Sequence, residues 1–208
     1  MSRSLFIFSI FYGGMVCIAG VLGAKQVALG PLAVEAGIFP FLLLVVMSSA
    51  VAELHGKAQA DQLVRYGFVP LIASILLIRL VLALPVDEGM YPPAIEAFPI
   101  ILGQSGRMMI AGLVSYGLSQ MLNVAIFARL ARPEGGMLWL RAGIASVLSQ
   151  ILDTVLFITI SFYGEREIVG LMTGQMIAKI TLSILMVPLL VTLLVKLGRK
   201  LDRAEQNA

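Results

Sequence analysis

The feature that most constrains this chain is a series of six apolar runs, each close to the roughly 20 residues that a helix needs to cross a bilayer. The runs take up most of the 208 residues, of which 59% are hydrophobic and only 13% are charged. A soluble domain of this length does not have such a composition. We therefore predict an all-α, polytopic membrane protein in which residues 1–208 form a single domain. The six predicted transmembrane helices are Leu5–Gly23, Ala36–Leu54, Tyr66–Leu84, Gln104–Ala128, Ala142–Phe162 and Ile168–Val195.

The distribution of Lys and Arg between the predicted loops gives the orientation, because these residues concentrate in cytoplasmic loops. With both termini cytoplasmic, ten cations lie on the inner side, and only Lys25 and Arg166 lie on the outer side. The outer connection from Pro85 to Gly103 contains acids, four prolines and no cation, so we predict an extended loop there. The ten inner cations are Arg3, Lys57, Arg65, Arg129, Arg132, Arg141, Lys196, Arg199, Lys200 and Arg203.

A polar pattern, S-Q-x-x-[DN]-x-x-x-F, occurs twice inside the predicted spans, at residues 119–127 and 149–157. In a helix it places Gln120 and Asn123 on one face, and likewise Gln150 and Asp153. A carboxylate at the bilayer centre costs roughly 2.5–3.5 kcal/mol on insertion scales, so such acids normally face a protein interior or a water-filled cavity. We interpret the two segments as walls of a binding site. The alternative is that they provide hydrogen bonds between packed helices.

Asp153 and Lys179 are both predicted to lie near the middle of the membrane, about 14 and 17 Å from its outer boundary at roughly 1.5 Å per residue. A short connection separates the last two spans, so these helices are expected to be antiparallel neighbours. An ion pair between the two residues is then available. Gln175 lies one turn from Lys179 on the same face. The same count places Gln120 and Gln150 at a shared depth of about 12 Å from the inner boundary.

Two further charged residues lie towards the ends of predicted helices. Glu53 is near the inner end of the second span, where Lys57 and Asp61 continue at helical spacing. It either lines the site or belongs to a solvated helix face. Arg107 is near the outer end of the fourth span, where its long side chain is expected to reach the membrane interface.

The order and spacing of several motifs carry a resemblance to a known family. These motifs are Ala24-Lys25, Phe39-Pro40, Glu53-x-x-Gly56-Lys57, Gly67-Phe68, Arg107, Tyr116, the two repeated patterns, Trp139-Leu140-Arg141 and Gly174-Gln175-x-x-x-Lys179. Over nearly its whole length the chain resembles the queuosine precursor transporters, also called the vitamin uptake transporter family.

The resemblance implies a multi-pass protein with six membrane helices in the bacterial inner membrane. It also implies import of 7-cyano-7-deazaguanine, 7-aminomethyl-7-deazaguanine or a closely related purine-like heterocycle. The carboxylate of Asp153 would accept hydrogen bonds from the ligand edge. The implied substrate-binding residues are Asp153, Gln150, Asn123, Gln120, Lys179, Gln175, Glu53 and Arg107.

Three positions depart from the pattern of that family. Its first helix usually carries asparagines near its end, where residues 20–24 of this chain read Gly-Val-Leu-Gly-Ala. Its second helix usually carries Thr-Asp, where this chain has Ser48-Ser49, and its fourth usually carries Asp, where this chain has Asn123. The loss of acids changes the charge of the presumed site, so a related but different substrate is an open alternative.

The sequence contains no constellation for catalysis or ATP hydrolysis, because it lacks G-x-x-x-x-G-K-[ST], G-x-S-x-G and H-E-x-x-H. With one Cys and one His, we expect neither a Cys/His metal site nor a cofactor. We expect a transporter rather than an enzyme, with a small-molecule substrate and the lipid bilayer, but no nucleic acid, as partners. The alternative is a substrate-binding membrane subunit for a vitamin-like molecule that works with a separate ATPase module. A homo-oligomer is also open.

Overall fold

The computed structural model describes residues 2–30, 32–131, 137–165 and 167–206. Arg132 and Arg166, two of the cations used to predict the orientation, lie outside these residues. In chain order the elements are α1 (Arg3–Gly23), β1 (Gln26–Leu29), β2 (Leu32–Glu35), α2 (Ile38–His55), α3 (Lys57–Ala83), α4 (Pro92–Leu102), α5 (Gly106–Arg129), α6 (Leu138–Phe162) and α7 (Val169–Gln206).

Six helices in the described part of the chain are long and apolar enough to cross a membrane, namely α1, α2, α3, α5, α6 and α7. The prediction of an all-α polytopic membrane protein with six spans is therefore confirmed. Two of these helices continue beyond their apolar runs. Helix α3 begins at Lys57, directly after Gly56 ends α2 with a φ of 85°. Helix α7 extends to Gln206. The charged residues Lys and Arg after its apolar run have a high helix propensity, so the helix continues beyond that run.

The connection between α3 and α5 is not the extended loop that its prolines predicted. It contains α4, whose first turn holds Pro92 and Pro93. Proline is favoured there because the first N–H groups of a helix have no intrahelical partner and the fixed φ already suits a helix. None of the residues of α4 is buried, and at 11 residues it rises only about 16 Å. Helix α4 is therefore too short to span a bilayer.

The sequence analysis did not predict the hairpin of β1 and β2. The two strands pair antiparallel, with Gln26 opposite Glu35 and Leu29 opposite Leu32. The turn includes Gly30 with a φ of 59°, a left-handed conformation that glycine adopts without steric cost. The hairpin joins α1 to α2, so we call this end of the bundle the hairpin end.

The opposite end holds both termini, and we call it the terminal end. There the Ser4 hydroxyl donates a hydrogen bond of 2.7 Å to the Asp202 carboxylate and lies 2.7 Å from Nε2 of His55. These contacts join the first turn of α1, the last turn of α2 and the last part of α7. The two ends of the described chain therefore lie at the same end of the bundle. The assignment of that end to the cytoplasm rests on the loop charges.

Helix α2 lies at the centre of the packed core. Its residues from Leu44 to Val51 are all buried, and the apolar residues among them share one core cluster with Phe8 and Tyr12 of α1 and with Val187 of α7. Helix α3, in contrast, exposes large apolar side chains along most of its length, as expected of a peripheral helix in lipid. The surrounding helices therefore enclose α2 and leave a space on its hairpin side.

Candidate functional site

A cavity of about 160 Å³ occupies the hairpin half of the bundle. Its walls come from the second half of α1, the start of α2, the middle of α3, the first half of α5, the second half of α6 and the first half of α7. One water molecule needs roughly 10–15 Å³ of such space. The cavity is therefore large enough for a small organic molecule.

An ion pair between α6 and α7 forms part of the wall of this cavity. Nζ of Lys179 donates to Oδ2 of Asp153 at 2.7 Å, and the two residues are only 8% and 5% exposed. The predicted contact between these two residues is thus confirmed. Nζ also lies 5.7 Å from the centroid of the Phe41 ring. That position allows a cation–π attraction to the aromatic face.

The rest of the lining is mostly apolar, with a few polar groups. Phe41, Tyr116 and Phe157 provide aromatic surface, and Gln175 lies one helical turn from Lys179, as predicted. The polar lining residues that were not predicted include Glu35 and Gln104. Both lie outside or at the edge of the apolar runs, where polar residues are ordinary and give no sequence signal. An apolar lining with a few polar groups is typical of a small-molecule site.

Three of the eight predicted site residues, Asp153, Lys179 and Gln175, line the cavity. Arg107 instead holds the end of α6. It donates to the carbonyl oxygen of Ile160, to that of Tyr163 at 2.7 Å and to the Glu165 carboxylate at 3.1 Å. The last carbonyls of a helix lack intrahelical donors. Arg107 therefore ties α5 to the C-terminal end of α6.

Glu53 lies at the terminal end, away from the cavity lining, and does not continue the surface of Lys57 and Asp61. Those two residues pair with each other, whereas the Glu53 carboxylate accepts a hydrogen bond of 3.0 Å from Arg141. The Arg141 guanidinium also donates to the carbonyl oxygen of Phe127 and lies 4.3 Å from the centroid of its ring. Glu53 and Arg141 thus connect α2, α5 and α6 close to the terminal end.

The pattern on α5 contacts α2 rather than the cavity. Nδ2 of Asn123 donates to the hydroxyls of Ser48 at 3.0 Å and Ser49 at 3.1 Å, and Ser48 in turn donates to Oε1 of Gln120 at 3.2 Å. For this segment the structure shows hydrogen bonds between packed helices, which was the alternative to a wall of the binding site. Gln150 differs, because neither polar atom of its amide meets a hydrogen-bond partner among the described residues.

Comparisons with known proteins agree with this architecture. Residues 35–193 match a protein family described as "Putative vitamin uptake transporter". Over 158 residues the chain is 27% identical to a protein of Bacillus subtilis (strain 168) named "Probable queuosine precursor transporter", and the alignment covers 74% of this chain and 68% of that protein. No solved structure gives a significant match.

The family match spans α2 to most of α7 and includes every residue of the polar part of the cavity. Membership of a transporter family favours a role other than catalysis. The six spans make the chain a multi-pass membrane protein, in agreement with placement in a bacterial inner membrane. The chain therefore belongs to the putative vitamin uptake transporter family and is a membrane transporter of that family.

Proposed function

We propose that this protein imports queuosine precursors, namely 7-cyano-7-deazaguanine or 7-aminomethyl-7-deazaguanine, or a closely related purine-like heterocycle. The observation that carries the proposal is the buried Asp153–Lys179 pair in the wall of an otherwise largely apolar cavity. The name of the Bacillus subtilis relative indicates the same ligand class. We also propose that residues 1–208 act as one transport domain.

The ion pair offers the groups that one edge of a 7-deazaguanine requires. That edge presents N–H groups, which can donate hydrogen bonds to the Asp153 carboxylate. It also presents a carbonyl oxygen, which can accept a hydrogen bond from the Lys179 ammonium. A ligand between the two residues replaces their direct contact by charge-assisted hydrogen bonds. Neither charge is then left uncompensated in apolar surroundings, which would be strongly unfavourable.

The remaining lining suits the rest of such a ligand. Phe41 and Phe157 provide apolar surface for a flat bicyclic ring, which aromatic side chains bind by stacking or edge contacts. The amide of Gln175 adds N–H donors and a carbonyl acceptor to the cavity wall, one helical turn from Lys179. The charged residues thus set the orientation of the ring, while the aromatic and aliphatic lining residues provide the apolar contact.

The direct test uses cells that lack both their own importer and the synthesis route for queuosine. Cells that express this protein are fed each precursor in turn, and queuosine in tRNA is measured. We expect rescue by at least one deazaguanine. Expressed, membrane-inserted protein that rescues none of them would refute the substrate and leave the family assignment unchanged. The same panel includes purines and vitamins, because this chain has Ser48-Ser49 and Asn123 where the resemblance implies acids.

A substitution at Asp153 tests the role of the carboxylate. Asp153→Asn replaces an acceptor by a donor, so a buried ligand N–H loses its partner. We expect a loss of roughly 1–3 kcal/mol of binding, which is about a five- to more than a hundredfold loss of affinity. Asp87→Asn, the same chemical change at an exposed position of the α3–α4 connection, serves as the control. Equal affinities of the two variants would contradict the proposed anchor.

Purified protein in liposomes separates this proposal from the ATPase-coupled alternative. Uptake of the deazaguanine by the lone protein is the expected result. Uptake that requires a copurifying ATPase would instead support a substrate-binding subunit that works with a separate module.

A further inference from the structure

A second cavity, of about 340 Å³, lies between α1 and α3 in the terminal half of the bundle. Its walls come from residues 5–13 of α1 and residues 59–70 of α3, which are the parts of these helices nearest the terminal end. The cavity described above, which we now call the first cavity, is lined by the parts that follow, from Val16 of α1 and Leu71 of α3 onwards. The two cavities therefore succeed one another along the α1–α3 interface.

Two tyrosines lie between the linings of the two cavities. Tyr12 lines the second cavity and Tyr116 lines the first, and their hydroxyl oxygens are 3.0 Å apart. The Tyr116 hydroxyl donates its only proton to the Val64 carbonyl oxygen at 3.0 Å, so the Tyr12 hydroxyl is the donor to Tyr116. Both side chains are buried. One pair of side chains, held by two hydrogen bonds, thus separates the cavities at this point.

The lining of the second cavity contains groups that can bind water or a polar ligand. Gln59 and Gln62 provide primary amides, and Tyr66 provides a phenol hydroxyl. The two amides are near the start of α3, so the polar part of the cavity is on its terminal side. An amide that faces acyl chains loses hydrogen bonds to water at a free-energy cost. The lining therefore favours an aqueous cavity over a groove filled with lipid.

We propose that the second cavity is the site from which the transported heterocycle is released, and that Tyr12 and Tyr116 form the gate between the two cavities. The ligand passes when the two hydroxyls separate. The amides of Gln59 and Gln62 then bind the N–H and carbonyl groups on its edge. This inference rests on the proposed function. It predicts that bulk added in the second cavity slows transport and leaves binding in the first cavity unchanged.

Gly13 is the position at which that bulk can be added. It lines the second cavity, and a Cβ there would lie 3.8 Å from Cγ of Pro70, an ordinary van der Waals contact. The series Gly13→Ala, Gly13→Leu and Gly13→Phe fills the cavity in steps. In liposomes, the maximal uptake rate of a labelled 7-deazaguanine that the wild type imports should fall with side-chain size, by at least about tenfold for phenylalanine. Equilibrium binding should stay within about twofold of the wild type.

Gly14 provides the matched control. It is the next residue of α1, it lines neither of these two cavities, and nothing lies within 4 Å of an added Cβ. The same three substitutions at Gly14 bring the same gain in helix propensity over glycine. Their uptake per folded molecule should equal that of the wild type. The comparison separates filling of the second cavity from the general effect of a side chain on α1.

A cysteine at Gly13 distinguishes an aqueous cavity from a lipid-filled groove. The thiolate is the reactive form of cysteine, and a thiol in apolar surroundings stays protonated. In a Cys17→Ser background, Gly13→Cys should react with a water-soluble thiol reagent once the membrane is permeabilised. A cysteine that stays unreactive on both sides of the membrane would indicate lipid in the groove and overturn the release site.

Two transport results would also overturn the release site. Equal uptake by the Gly13 and Gly14 series would show that the second cavity is not on the route, and the proposed function would stand. Equal losses of binding and uptake in the Gly13 series would show that the added side chain acts on the first cavity. A wild-type protein that neither binds nor imports a deazaguanine gives a different pattern, which refutes the proposed function together with this inference.

Discussion

At the scale of single residues, Asp153 and Lys179 depend on each other. Each is buried, and their polar atoms are 2.7 Å apart. The desolvation cost of each charge is offset mainly by the other charge, because the surrounding cavity wall is largely apolar. Such a pair is a poor source of stability compared with apolar packing. In the proposed function, the pair instead exchanges its direct contact for contacts with the ligand.

This dependence predicts strong energetic coupling between the two residues. Asp153→Asn or Lys179→Met should each destabilise the protein by about 3–5 kcal/mol, because each leaves one buried charge without a partner. The double replacement should cost less than the sum of the two. Thermal unfolding in detergent of the wild type and the three variants completes a double-mutant cycle. Lys25→Met, at an exposed position, is the control, and additive losses would contradict the coupling.

The Asp153–Lys179 contact could be predicted because a short connection makes α6 and α7 antiparallel neighbours. Counting residues from the outer ends of the two helices then gives similar depths in the membrane for the two side chains. Glu35 and Gln104 could not be found in this way, since neither is an unusual polar residue inside an apolar run. The contacts of Arg107 were also beyond prediction. They depend on where the end of α6 lies in space, and sequence spacing carries no information about that position.

At the scale of elements, the crossing of α1, α3 and α5 is held by two tyrosines. The hydroxyls of Tyr12 and Tyr116 lie 3.0 Å apart, and Tyr116 donates to the Val64 carbonyl oxygen at 3.0 Å. This approach requires the absence of a side chain at Gly67. A Cβ there would lie 2.1 Å from the Tyr116 hydroxyl oxygen and 2.9 Å from Cε1 of Tyr12.

Gly67→Ala should therefore destabilise the protein, although alanine favours helix formation over glycine. Overpacking of this kind typically costs about 1–3 kcal/mol, which exceeds the gain of up to about 1 kcal/mol from helix propensity. Gly14→Ala is the matched control, because nothing lies within 4 Å of its added methyl group. The melting temperature should fall for the first variant and hold or rise for the second. The same response in both would show that Tyr116 moves aside at no cost.

The sequence predicts the long elements well and the short ones poorly. Six spans follow from hydropathy, since only long apolar helices satisfy their backbone groups in lipid. The hairpin and α4 give no comparable signal. The prolines before α5 were interpreted as breakers, yet two of them lie in the first turn of α4, where proline is compatible with a helix. The helical turns with charged residues beyond the apolar runs of α3 and α7 were likewise not predicted, because the prediction used hydropathy.

At the scale of the whole molecule, the cavity and the termini lie at opposite ends of the bundle. The cavity is in the hairpin half, whereas Ser4 and Asp202 are in contact at the terminal end. The loop charges predict that the terminal end is cytoplasmic. In this predicted orientation the cavity lies in the outer half of the membrane, where the proposed import begins.

Cysteine labelling tests this orientation and the position of the cavity together. Gly112 lines the cavity, and a side chain added there has nothing within 4 Å. In a protein whose native Cys17 is replaced by serine, Gly112→Cys should react in intact cells with a thiol reagent that cannot cross the membrane. A 7-deazaguanine in the medium should slow that reaction, because the proposed ligand occupies the same cavity.

Asp202→Cys, in the same background, is the counterpart at the terminal end. It should react only after the membrane is permeabilised, and the ligand should leave its rate unchanged because the position is remote from the cavity. Labelling of the Asp202→Cys protein in intact cells would reverse the orientation, and the protein would then present its cavity to the cytoplasm. Labelling of neither position from outside would mean that the cavity is closed to the medium in the membrane. With the expected pattern, the distribution of cations, the shared end of the two termini and the position of the ion pair all agree with the import that we propose, from the hairpin end to the terminal end.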